Sequence, residues 1–167
     1  MDQSRRCACF MSKSRFLFFL LLNFSALYVG AQLMGGSPLE NNWYQDLPKA
    51  PWTPPGWFFG FAWTVVMVTF SLFLSFQGKL SSWTNQYKLL YLSQWLLNAT
   101  WNYVFFQLHQ VVVALCMLII LFFVLYFIWK KSTSKSYNWT IAPYFAWLFV
   151  AISLNLYPVL KSCFNFV

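Results

Sequence analysis

Five stretches of this chain are apolar and long enough to cross a bilayer: Phe16–Leu33, Trp57–Phe76, Tyr87–Phe106, Val111–Trp129 and Ile141–Leu160. A helix needs ~20 residues to span ~30 Å of hydrocarbon. Four of the stretches carry no charge, and the third has only Lys88 near its edge. In hydrocarbon the backbone polar groups must find partners inside the segment, which makes such stretches helical. Composition agrees, with 60% hydrophobic and 8% charged residues, against roughly a quarter charged in soluble domains. The expected fold is all-α: an integral membrane bundle of five transmembrane helices over residues 16–161. A basic tail over 1–15 precedes it and a short tail over 162–167 follows.

Polar breaks separate the spans at Ser37–Pro55, Gln77–Gln86 and Lys130–Asn138. The break Gln107-Leu108-His109-Gln110 is short, so spans three and four should form a tight antiparallel pair. Arg5, Arg6, Lys13, Arg15, Lys79, Lys88, Lys130, Lys131 and Lys135 all fall on one side of a five-span chain, leaving Lys49 and Lys161 on the other. Positive residues stay in the cytoplasm. The N-terminus is therefore expected in the cytoplasm and the C-terminus outside. The net charge of +8 follows from topology, and charges spread over three segments give no footprint for nucleic acid. The first span also has the outline of a signal peptide ending near Ala31. Its apolar run continues to Met34, which favours a retained helix, with Met1 and Met11 both open as the start. A bacterial cytoplasmic membrane is the first expected location and an organelle membrane the second.

Several function classes lack their chemistry. The acids are Asp2, Glu40 and Asp46, and none lies in a span. A proton-coupled transporter carries acids within its spans. His109 is the one histidine, so no metal set or cofactor cage is expected. Cys7, Cys9, Cys116 and Cys163 suggest no disulfide framework. Cys7-Ala8-Cys9 reads as an incidental pair in the tail. No nucleophile lies beside a base. The glycosylation pattern Asn138-Trp139-Thr140 falls on the cytoplasmic side and is discounted.

What remains is amide and aromatic. Gln94, Asn98, Trp101 and Phe105 recur at helical spacing and share one face of span three. An amide within a membrane span is costly without a partner, so this face reads as one wall of a cavity. Gly60 in span two allows close approach of a helix or a flat ligand, and Trp63 lies one turn on. In span five, Tyr144, Trp147 and Ala151 follow one face, with Asn155 beside it. Three tryptophans, Trp63, Trp101 and Trp147, can point inward from three helices. The outer loop, from Trp43 and Tyr44 through Trp52 to Trp57, holds four prolines between Pro48 and Pro55. Proline stiffens it, and it reads as a lid over the outer mouth. A planar, largely apolar ligand with polar edges fits such a cavity. Tetrapyrroles and sterols both meet that description.

Trp43-Tyr44, Leu47, Lys49, Trp52, Pro54-Pro55, Trp57, Gly60, Trp63-Thr64, Gln94, Leu97-Asn98, Trp101, Phe105-Phe106, Pro143-Tyr144, Ala146-Trp147, Ala151 and Leu154-Asn155 together resemble the TspO/MBR family of tryptophan-rich sensory and translocator proteins. The resemblance covers nearly the whole chain. It implies a homodimeric five-helix bundle that binds porphyrins as ligands, in some members sterols or benzodiazepine-type compounds. It places Trp63 and Trp147 in the ligand cleft, Asn98 and Trp101 on its third-helix wall, and Tyr44 in the covering loop. It also implies light-dependent porphyrin breakdown, with Trp63 and Trp147 as the candidate catalytic residues. The expected function is a membrane receptor or sensor for porphyrin-type tetrapyrroles. The alternative is a translocator of porphyrin or sterol. Departures from the family pattern are Phe61 for proline, Gln107 for glycine and Ala50 for proline. Leu154, Tyr157 and Lys161 satisfy a loose sterol-recognition pattern, with the tyrosine one place late.

Overall fold

The computed structural model describes residues 12–133 and 135–164. The Cys7-Ala8-Cys9 pair lies outside the described residues. Helices α1 (Lys13–Met34), α2 (Asn42–Asp46), α3 (Gly56–Ser75), α4 (Asn85–Asn102), α5 (Val111–Lys130) and α6 (Ala142–Phe164) follow in order. The five long helices are the five expected spans. Helix α1 begins at Lys13, so the end of the basic tail is already helical, and α6 runs on past residue 161. Helix α2 is one short addition inside the outer loop, ahead of the prolines.

Four of the long helices are apolar enough to cross a membrane on composition alone. The exception is α4, which carries Asn85, Gln86, Lys88, Ser93, Gln94, Asn98, Thr100 and Asn102. Its place in the bundle comes from its neighbours. Helix α1 packs on α3 and α4, α4 on α5, α5 on α6, and α6 on α3. The spans thus close into a ring in the order α1, α3, α6, α5, α4, with the most polar helix held between two apolar ones.

Two features hold α1 to α4. A Cβ on Gly30 would lie 3.1 Å from Asn102 Nδ2, 3.3 Å from the Asn98 carbonyl oxygen and 3.4 Å from that of Ala99. Only a glycine lets the two backbones approach so closely. Of the two partners expected for Gly60, a helix or a flat ligand, no helix comes close among the described residues. Gly60 is exposed, and a Cβ there would meet nothing within 4 Å. Sequence spacing placed it on a face but could not show that no helix crosses there.

The second feature is a closed polar clamp. Asn23 Nδ2 donates to Ser71 Oγ at 2.8 Å, and Tyr91 Oη donates to Asn23 Oδ1 at 3.0 Å. Ser71 Oγ in turn donates to the Met67 carbonyl at 2.6 Å. The clamp joins α1, α3 and α4 in the inner half of the bundle. Nearby, Trp95 Nε1 donates to the Leu22 carbonyl at 2.9 Å. Around the clamp, Phe19, Met67, Phe70, Phe73 and Leu74 form a fully buried core.

The α4–α5 connection is tight, as expected, but α4 first widens into a π turn over Tyr103–Gln107, with Leu108 N–H bonding to the Tyr103 carbonyl at 3.1 Å. His109 then reverses the chain with φ +56°. Gln107, where the family pattern has glycine, donates from Nε2 to the Met34 carbonyl at 2.6 Å and so satisfies the end of α1.

Gly30→Val should cost about 1–3 kcal/mol by overpacking the α1–α4 contact. Thermal unfolding in detergent checks this: the variant's midpoint should fall, while Gly60→Ala should leave it nearly unchanged.

Candidate functional site

Tyr144 is the centre of the site. It is fully buried, yet it stands on α6 and bonds to α4, the helix on the far side of α5 in the ring. Asn98 Nδ2 donates to Tyr144 Oη at 2.5 Å and Gln94 Nε2 donates to it at 3.1 Å. Asn98 Nδ2 also donates to the Gln94 carbonyl at 2.8 Å. That last bond fixes which way the Asn98 amide faces. Its Oδ1 has no partner, nor has Gln94 Oε1. Turning the Gln94 amide over would give the Tyr144 hydroxyl proton an acceptor but would orphan the Gln94 nitrogen instead. In either arrangement buried amide atoms stay unpaired.

The same holds one turn along α6. Trp147 is 6% exposed and its Nε1–H has no partner. Asn155, also 6% exposed, donates from Nδ2 to the Ala151 carbonyl at 3.3 Å, but its Oδ1 is unpaired. Most buried polar atoms in native folds are bonded, and each orphan costs of the order of 1–3 kcal/mol. Four such atoms therefore line α4 and α6: two amide oxygens near Tyr144, an indole N–H, and a further amide oxygen toward the outer side.

Aromatic rings frame these atoms. Trp63 on α3 meets Tyr144 at 6.2 Å and Trp147 at 6.3 Å, both edge-on. Phe59 meets Trp147 edge-on at 5.6 Å, and Phe70 meets Tyr144 at 5.3 Å. Ala151 packs against the same core. Trp63, Gln94, Asn98, Tyr144, Trp147 and Ala151 are thus brought together by three different helices. Trp101 sits at the edge of the group, its Nε1 donating to the Ala114 carbonyl on α5 at 3.2 Å and its ring stacked on Phe105 at 5.0 Å.

Phe105 and Tyr44 belong to a second cluster at the outer end. Phe105, Phe106 and Ala114 are buried there beneath Trp43, Tyr44 and Leu47. Asn41 caps α2 by accepting the Tyr44 N–H at 3.0 Å and donates to the Phe106 carbonyl at 3.3 Å. Trp43 stacks on His109 at 4.2 Å. Burial pushes the Tyr44 phenol above its ordinary value. Trp52 anchors the other end of the loop on α6, donating to Ser153 Oγ at 3.2 Å and meeting Tyr157 edge-on. The loop therefore straps the outer end of the ring from the α4–α5 turn to α6. Trp52 and Gly60 stand apart from the Tyr144 group.

Phe59 completes the group through its contact with Trp147, while Asn155 lies eleven residues beyond Tyr144 on α6, ~16 Å along the helix axis, and neither is among the expected site residues. Asn155 was visible as an amide next to the Tyr144 face. Phe59 carried no signal, because one phenylalanine among twenty does not show which way it points. Two cavities, of 240 and 410 Å³, lie elsewhere, and neither has Trp63, Asn98 or Trp147 in its wall.

The comparisons with known proteins agree with this architecture. The TspO/MBR family model matches residues 18–160. The Tryptophan-rich protein TspO of Bacillus cereus is 28% identical over 149 residues, covering 87% of this chain and 95% of the relative. The Tryptophan-rich sensory protein of Cereibacter sphaeroides is 30% identical over 139 residues, covering 81% and 87%. Protein CrtK of Rhodobacter capsulatus is 28% identical over 121 residues, covering 68% and 74%. Relatives of this kind fit a multi-pass protein of a bacterial membrane. With its five-helix ring and a family match over most of its length, the chain belongs to the TspO/MBR family.

Proposed function

We propose that the chain is a membrane sensor that holds a porphyrin-type tetrapyrrole between α3, α4 and α6. One observation carries this reading: among the described residues, one buried polar node between the helices is closed and another is open. The Asn23–Ser71–Tyr91 clamp satisfies its own amide. Among the described residues, the Tyr144 node leaves Gln94 Oε1, Asn98 Oδ1 and, one turn along α6, Trp147 Nε1 without partners. Each unpaired buried atom is costly, so a partner from outside the chain is stabilising at the open node. A tetrapyrrole supplies what the open node lacks. Its pyrrole N–H groups donate to amide oxygens, its carboxylates accept from an indole N–H, and its flat ring lies against Trp63, Trp147 and Phe59. The sensory name of a relative supports the signalling role.

The reading needs no acid–base group. Trp63 and Trp147 beside a photo-excited ring can pass it one electron; dissolved dioxygen, the oxidant, takes that electron from the ring radical anion, and the oxidised tryptophan recovers its electron from the ring, which leaves the ring oxidised by one electron and dioxygen reduced to superoxide. Titrating the purified chain with protoporphyrin in the dark tests binding, and illumination then tests chemistry. A Trp63→Phe/Trp147→Phe double variant should weaken binding roughly five- to tenfold, from the lost N–H donor and indole edges. Unchanged affinity would remove both residues from the site. Binding without any light-dependent spectral change would leave a sensor with no photochemistry.

Tyr144→Phe probes the amides directly. The empty variant should lose about 0.6–1.7 kcal/mol, the range for interhelical hydrogen bonds in membranes. Saturation with protoporphyrin should shrink that loss, because the ligand then partners Gln94 and Asn98. Equal losses in empty and loaded protein, measured by thermal unfolding, would count against the amides as ligand contacts.

A further inference from the structure

The cavity of 410 Å³ lies at the cytoplasmic end of the bundle, and none of the Tyr144 group lines it. Its wall comes from two connections: Gln77, Ser82, Trp83 and Thr84 between α3 and α4 with Gln86 and Tyr87 of α4, and Lys131 and Thr133 after α5. Hydrogen bonds hold the two connections together. Gln77 Oε1 accepts from the Thr133 N–H at 2.8 Å and from Thr133 Oγ1 at 3.2 Å. Lys131 Nζ donates to Gln86 Oε1 at 3.1 Å. Trp83 Nε1 donates to the Gln77 carbonyl at 3.1 Å, and the Trp83 ring stacks on Phe19 at 5.2 Å. The rim is thus built from bonded groups, and the cavity is of ligand size.

Its chemistry is one-sided. Hydroxyls of Ser82, Thr84 and Thr133 and the ammonium of Lys131 face a wall with no acid. The described acids, Glu40 and Asp46, lie in the outer loop, at the other end of the bundle. Helix α4 starts at this wall, with Thr84 as its cap accepting the Tyr87 N–H at 3.3 Å. Its first bond comes only at Lys88 N–H, to the Thr84 carbonyl, so the Asn85 and Gln86 amides precede the helical ladder. An 18-residue helix directs the positive end of its dipole there. Tyr87 lines the cavity, is 6% exposed, and its hydroxyl has no hydrogen-bond partner. Trp83, 7% exposed, gives an apolar floor.

We infer that this cavity is a second ligand site, which takes a phosphate-bearing anion at the cytoplasmic membrane surface. Lys131 supplies the charge, the Thr84 hydroxyl and the first α4 amides supply donors, and Trp83 and Tyr87 supply the floor, while the Ser82 and Thr133 hydroxyls donate to the Lys79 carbonyl and to Gln77 Oε1 and shape the rim. Basic pockets between membrane helices on this side suit lipid phosphates, and a free phosphate offers the same chemistry. Because the site joins the α3–α4 and α5–α6 connections, its occupant ties together the inner ends of four of the five long helices.

Calorimetric titration of the full chain in a neutral detergent distinguishes the sources. The probes are dihexanoyl phosphatidic acid and inorganic phosphate, with Lys131→Glu and, as a control on the outer face, Lys49→Glu. The expected result is saturable binding of at least one probe, weakened roughly tenfold by Lys131→Glu and unchanged by Lys49→Glu. Binding of the lipid alone assigns a lipid headgroup, and binding of both probes assigns a free phosphate group. Failure of both probes to bind, or equal weakening by the two variants, overturns the site. Protoporphyrin affinity should be the same in Lys131→Glu as in the unaltered chain, which keeps this site separate from the Tyr144 group.

Discussion

Hydrocarbon outside the bundle makes apolar contact a weak selector among helix packings, because a lipid tail is as apolar as a leucine. Buried polar side chains therefore decide which helix lies beside which. In this chain Asn23 does most of that work. It is 1% exposed, bonds to Ser71 of α3 and accepts from Tyr91 of α4. With Gly30 admitting the α4 backbone, it sets α1 between α3 and α4. Once that edge of the ring is fixed, short connections bring α5 against α4 and α6 against α5. Tyr144 then reaches across the interior to Gln94 and Asn98. The open node exists because the closed one holds α4 in place.

This division of labour explains why α4 can be the least apolar of the long helices. Its polar residues point in several directions, and each direction meets a different partner. Tyr91 serves the clamp, Trp95 bonds to α1, and Gln94 and Asn98 face Tyr144. Leu89, Leu92 and Leu96 cover the outer surface. The cost of amides in a span is met partly within the protein and, under the proposed reading, partly by the ligand. The cytoplasmic cavity uses the other end of the same helix.

The sequence reading found the spans because their periodicity and length are local properties, and it placed each within a few residues of the helix observed. It found the amide face of α4 for the same reason, since Gln94 and Asn98 are one turn apart on any helix. It did not find Asn23, which sits in a first span whose apolar run masks one amide. The signal was a polar residue inside a span, the same signal that singled out Asn98. Gly30 meets another helix and Gly60 meets none among the described residues, although both are glycines in apolar helices. What separates them is which of the two another backbone crosses, and no local pattern carries that.

By itself, the sequence determined the membrane class, the number and hand-to-hand order of the spans along the chain, and the side of the basic residues. These follow from hydrophobic length and charge, which each segment carries alone. It also determined which residue types were on hand for a ligand: amides and indoles, with no acid inside the spans and Cys116 as the one thiol there. Only the tertiary structure decided the ring order α1, α3, α6, α5, α4, the closure of one polar node and the openness of the other. Those depend on pairings between residues 46 to 68 positions apart, such as Asn98 with Tyr144 and Asn23 with Tyr91. A hydrogen bond is satisfied or orphaned by geometry between helices, and that geometry comes into being only when the helices meet.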